Sequence, residues 1–231
     1  VSRPLSAFTL IELMVGFSLI GVLSALIYAA FASSHASANK LHCMSNMRQI
    51  GIGLNSYCDD HSGEYPGSMH TTEDEEKAWV WLLKPYLDNV DEIRICPADP
   101  KAKERLDAKG TSYILNEYIC VPLVDGFGRV KESFTIRQQL KQPDKTIVMF
   151  IGSDDMDVGL TGDHTHSRNW KGWKNVLRDI QPDRHRLGPS NKDRTSGSAN
   201  YLYADGHVQN IDAEEVKRRI DKKEPFAKPP E

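Results

Sequence analysis

The densest run of chemistry-bearing side chains is GSDDMDVGLTGD, from Gly152 to Asp163. Asp155-x-Asp157-x-Gly159 has the start of a calcium loop: hard carboxylate oxygens on alternate residues and a glycine that permits the turn. Together with Asp163 these acids form a candidate calcium set, and calcium is the leading cofactor candidate of the chain. The third acid and the closing glutamate of an EF-hand are missing, so a solvated acidic loop is the competing reading. His164-x-His166, with His185 and His207, offers imidazoles of the kind that gather zinc, against the plainer account of surface histidines. Trp170, Lys171, Trp173, Lys174 and Arg178 form an aromatic-basic patch that suits a sugar or a partner, or else a solvated edge over core tryptophans. No nucleophile motif, P-loop or dinucleotide fingerprint occurs, and no reaction is expected of the chain.

Four cysteines constrain one another by distance. Cys43 and Cys58 fall on one predicted helix, about 22 Å apart at 1.5 Å rise per residue, too far for a mutual disulfide. Cys96 and Cys120 fall in the globular part; they are the candidate disulfide in an oxidising compartment, with two free core thiols as the alternative.

Glu12 stands at the head of an uncharged run from Leu13 to Ala32. As a helix that run is about 30 Å long, the thickness of a bilayer core, and buried soluble helices seldom stay apolar on every face over such a length. Gly21, Ala25 and Ala29 recur every four residues on one face, the spacing that lets helices approach closely in lipid. The same stripe is also what an alanine-rich span contains by composition. A carboxylate costs about 2.5–3.5 kcal/mol at the bilayer centre, so Glu12 needs an opposite charge, such as the free N-terminal amine of a neighbouring subunit. Ala30-Phe31-Ala32 and Ala36-Ser37-Ala38 fit signal-peptidase sites, but the apolar run exceeds the usual signal h-region and is headed by Glu12. Arg3 before the run and Lys40 and Arg48 after it leave the orientation undecided by charge.

The elements that must hold these residues follow from periodicity. A length of 231 residues suits one anchor and one globular domain. A net charge of −3 gives no drive toward nucleic acid, and none is expected as a partner. Leu41, Met44, Met47, Ile50, Leu54, Tyr57 and Cys58 keep helical spacing beyond the apolar run, which predicts one helix from Phe8 to His61. Gly51 and Gly53 each cost this helix about 1 kcal/mol, so its second half requires a packing partner. An acidic loop at Glu73 to Glu76 and a short helix over Trp79 to Leu87, stopped by Pro85, come next. Strands are predicted at Ser112–Val121, Ser133–Ile136 and Thr146–Ile151. Asp205-Gly206 between Asn200–Ala204 and His207–Ile211 predicts a type I′ hairpin. The charged, proline-rich tail from Lys222 to Glu231 reads as frayed.

Ala7-Phe8-Thr9-Leu10-Ile11-Glu12-Leu13-Met14-Val15 resembles the prepilin processing motif of type IV pilins and type II secretion pseudopilins. The resemblance implies cleavage by a prepilin peptidase between Ala7 and Phe8, methylation of Phe8, and a subunit-register role for Glu12. Ala7 departs from the glycine the family prefers there. Ala204-Asp205-Gly206-His207-Val208 is similar to the processing-associated H-X9-DG domain of pilin-like proteins. So are the blocks Cys43–Gly51, Tyr57–Asp60, Trp81–Leu87 and Cys96-Pro97-Ala98-Asp99. The named spacing is not kept: Thr195 stands ten residues before Asp205, and the nearest upstream histidine is His185.

The resemblance implies an α+β, pilin-like fold, a long N-terminal helix with a transmembrane first half packed on a small antiparallel sheet. Its parts would be a leader (1–7), a transmembrane or filament-core helix (8–32), a helix continuation (33–62), a globular domain (63–221) and a tail (222–231). The implied function is structural, a pilus or secretion-pseudopilus subunit. Its partners would be other pilin-like subunits, the prepilin peptidase and inner-membrane lipid, with the globular domain in the periplasm or on an extracellular filament. The alternative is a bitopic, membrane-anchored extracytoplasmic binding protein or metal-dependent hydrolase.

Overall fold

The computed structural model describes residues 9–69, 78–88, 91–159 and 162–230. Helix α1 runs unbroken from Leu10 to Asp60, 51 residues, or about 75 Å. Thr9 and Glu12 start it with a reciprocal capping box, which satisfies two of the backbone donors that every helix start leaves open. The predicted helix is present as one piece, and its two halves have opposite environments. From Leu10 to Phe31 the large apolar side chains are exposed, from 50% at Leu23 to 79% at Tyr28. This segment is long and apolar enough to cross a membrane. In the second half Cys43, Met47, Ile50, Leu54 and Cys58 form one fully buried stripe, at the i+3/i+4 spacing of a single helix face.

That stripe packs chiefly on strand β5 (Ser198–Tyr203). Gly51 explains how closely: a Cβ there would lie 2.8 Å from Leu202 Cδ1, and one at Gly53 would lie 3.0 Å from Leu87 Cδ2. The propensity cost of the two glycines thus brings the helix closer to its neighbours.

The sheet has four antiparallel strands: β1 (Tyr113–Leu115), β4 (Ile147–Ile151), β5, and β6 (Val208–Asp212), in the order β1-β4-β5-β6. β4 and β5 are buried throughout, as strands covered on both faces must be. A two-stranded ribbon of β2 (Leu123–Val124) and β3 (Val130–Glu132) lies outside this sheet. Short helices α2 (Trp79–Leu82), α3 (Ala102–Asp107), α4 (Glu117–Cys120) and α5 (Trp173–Asp179) fill the connections, and α6 (Ala213–Asp221) follows β6.

Four local expectations are corrected. Ser112–Val121 is a strand only over β1, because the Asn116 side chain accepts from Tyr118 N and starts α4 instead. Ser133–Ile136 forms only an isolated bridge from Ile136 to Glu64. In the β5–β6 hairpin only Gly206 takes positive φ, at +90°, and Tyr203 N donates to His207 O across the loop Ala204-Asp205-Gly206. This is a longer turn closed by a left-handed glycine, not type I′. The tail is docked: Phe226 and Ala227 are buried, Phe226 meets Tyr201 edge-on at 5.5 Å, and Asn116 Nδ2 donates to Ala227 O at 2.7 Å.

Candidate functional site

The processing positions Ala7 and Phe8 lie outside the described residues. Glu12 is exposed and turned on its own chain: one carboxylate oxygen accepts from Thr9 N at 2.8 Å and from Thr9 Oγ1 at 2.9 Å, while Glu12 N donates to Thr9 Oγ1 at 3.2 Å. The T-x-x-E spacing of this box stands in the sequence as a helix-start signal, and it went unread there beside the charge of Glu12. Gly21 and Ala25 lie exposed on α1, with nothing within 4 Å of where a Gly21 Cβ would stand. The backbone of Ala29 continues the same helix.

The three acids of the calcium set go to different places. Asp155 is exposed and pairs with Arg194. Asp157 accepts from Val158 N through its side chain and from Arg105 Nη1 through its carbonyl. Asp163 is fully buried, accepting from Met69 N at 2.8 Å and pairing with His164 Nδ1 at 2.8 Å. No common ligand set forms from them among the described residues. The histidines separate likewise. His164 and His166 have ring centroids 5.1 Å apart. His207 stacks on Tyr203 at the hairpin, and His185 is elsewhere, bridged to Ser198. Trp170 Nε1 donates to Asp179 and Trp173 Nε1 to Asp193 O, so the indole donors of the aromatic-basic patch are used inside the fold.

The proposed Cys96–Cys120 pairing is also corrected. All four cysteines are free and buried, and the Cys120 thiol donates at 3.3 Å to the carbonyl of Asn116, the residue that caps its own helix. Cys96 faces Cys43 instead. The sulfur atoms of Cys43 and Cys96 and a ring nitrogen of His185 all lie within 4.8 Å of one another. Cys43 and Cys96 are fully buried, and His185 is 8% exposed.

Each member is brought in by a different element. Cys43 heads the buried stripe of α1. Asn46, three residues on, donates its side-chain N–H to Ile95 O at 3.0 Å and so ties the Cys96 loop to the helix. His185 is held by two backbone bonds to Ser198 at the start of β5. Asn200 on β5 donates to Lys40 O of α1 at 3.0 Å and faces His185 Nε2 at 3.4 Å. Tyr113, the first residue of β1, is fully buried beside the thiols, and its hydroxyl stands against Cys43 without a hydrogen bond of ordinary geometry.

Burial works against ionising either thiol, but Cys96 and His185 beside it hold the Cys43 thiol well below its ordinary range. Burial and then the neighbouring Cys43 push the Cys96 thiol up. The two thiols therefore titrate as a coupled pair.

Next to this cluster lies a buried ionic network. Asp99, three residues after Cys96, accepts from Arg105 Nε at 3.0 Å and from Ser112 Oγ at 2.7 Å, and lies 3.9 Å from Arg184 Nη1. Arg184 also reaches Asp154 at 2.6 Å. Three of these charged side chains are at most 3% exposed, Asp154 being the partly open one, so mutual pairing is what makes their burial tolerable.

No protein-family model, curated protein or solved structure matches the chain.

Proposed function

We propose that the chain is a pilin-like filament subunit: a membrane-inserted prepilin processed before Phe8, whose apolar half-helices bundle while the α+β domain is displayed outside the cytoplasm. One observation carries this reading. The first half of α1 meets none of its own domain, presents large apolar side chains on every face, and continues without a break into the spine of that domain. Such a surface is stable only in lipid or against other helices. A continuous helix passes the geometry of a helix bundle directly to the domain. The reading also rests on the resemblance of Ala7 to Val15 to the prepilin motif. Its partners are copies of this chain or related subunits, the prepilin peptidase and inner-membrane lipid. The chain itself performs no chemistry in this role.

The test is the N-terminal mass of the protein recovered from native membranes or sheared filaments. A chain beginning at methylated Phe8 is expected. A chain still carrying residues 1–7 would leave α1 as a plain anchor and shift the reading to a bitopic, membrane-anchored extracytoplasmic protein.

A further inference from the structure

The geometry points to a structural zinc site in which Cys43, Cys96 and His185 bind one Zn2+ and the Tyr113 phenol oxygen stands at the fourth position. Two thiolates and an imidazole are the donor types of closed zinc sites, and soft sulfur donors select against calcium and magnesium. A tetrahedral ion with Zn–S near 2.3 Å sets its sulfur ligands about 3.8 Å apart. Ligand atoms already within 4.8 Å of one another need only a small contraction to reach it.

Two independent observations favour an ion over a chance meeting of side chains. His185 Nδ1 and Tyr113 Oη are both buried with no hydrogen bond of ordinary geometry, and both stand against the Cys43 sulfur. A Cys43–Cys96 disulfide would remove the one strong acceptor they share, whereas a cation engages a lone pair of each. The elements that carry the ligands are also tied to one another beside the cluster: Asn46 donates to Ile95 O next to Cys96, and Asn200 donates to Lys40 O three residues before Cys43. Binding releases the thiol protons to solvent, and Zn2+ with two thiolates is neutral, which suits a buried site.

The site joins three separate stretches of chain: the middle of α1, the loop after Ile95 and the segment leading to β5. Zinc would lock the helix to the domain, and this role stands or falls independently of filament assembly.

The experiment uses the full chain in detergent, purified with and without reductant, with metal content read by elemental analysis. One zinc per chain is expected. Loading the metal-free protein with Co2+ should give thiolate-to-cobalt charge-transfer bands and the intense visible bands of a tetrahedral ion. Cys43→Ser and His185→Gln should lose stoichiometric zinc. Cys58→Ser with Cys120→Ser should bind as the parent does. The cobalt spectrum of the unaltered chain decides the matter even if the ligand variants fail to fold. A folded, reduced chain that takes up no zinc and gives no such spectrum overturns the proposal. So does a stoichiometric Cys43–Cys96 disulfide in protein taken from its native compartment.

Discussion

Glutamine at position 12 would keep a side-chain oxygen able to accept from Thr9 N while removing the charge. Alanine would remove both. Because the carboxylate serves its own helix start in the capping box, the two substitutions separate capping from charge pairing between subunits. Loss of the box costs about 1 kcal/mol of local helix stability, too little to unfold a domain whose core begins at Cys43. If Glu12 pairs with a neighbour's amine, Glu12→Gln and Glu12→Ala should both abolish filaments, seen by shearing and electron microscopy, with unchanged thermal unfolding of the domain. Filaments from Glu12→Gln but not from Glu12→Ala would assign the residue to capping alone. The same scale shows why the buried cluster escaped a reading of the sequence. Cys43, Cys96 and His185 are separated by about fifty and then ninety residues, and none of them falls in a ligand-spacing motif of the C-x-x-C kind. The visible signals were local ones, Asp155-x-Asp157 and His164-x-His166, and neither gathers into a site. For Cys96 and Cys120, neighbours on the map of the globular part, distance along the chain was a poor guide to distance in space.

Among the elements, legibility followed how much of the decision was local. α1 was readable because its periodicity and its twenty-residue apolar run are properties of one continuous stretch. β4 was readable as a short apolar run rich in β-branched residues. The stretch after β1 was misjudged because Asn116 acts through a single side-chain cap that outweighs the β-propensity of Tyr118, Ile119 and Val121. The tail misled for the opposite reason: its composition is that of a frayed end, and one residue, Phe226, reverses that by filling space against Phe150 and Tyr201. Phe226→Ala should therefore cost about 3–5 kcal/mol and lower the unfolding midpoint of the domain by on the order of 10 °C, measured by circular dichroism. An unchanged midpoint would mean that the tail contributes no packing.

For the whole molecule, the sequence fits an α+β domain with a long N-terminal helix on a small antiparallel sheet, and the structure has that form. The sequence could not supply the order β1-β4-β5-β6 or the closeness of α1 to β5, since both depend on contacts between distant segments. The unbroken passage of α1 from its exposed half to its buried stripe has a further consequence, which concerns rotation rather than distance. With no hinge between them, the azimuth of the domain about the helix axis is geared to the exposed half, as two wheels are keyed on one shaft. One alanine inserted after Ser34, in the exposed part of α1, would turn the domain by about 100° while advancing it by only about 1.5 Å. Seven inserted residues would return it to within about 20° of its starting angle. If the chain inserts and assembles as proposed, the single insertion should leave membrane insertion and domain stability intact yet abolish ordered filaments, and the seven-residue insertion should restore them. Equal assembly by both would show that the shaft slips, and that neighbouring domains take their orientation from one another instead.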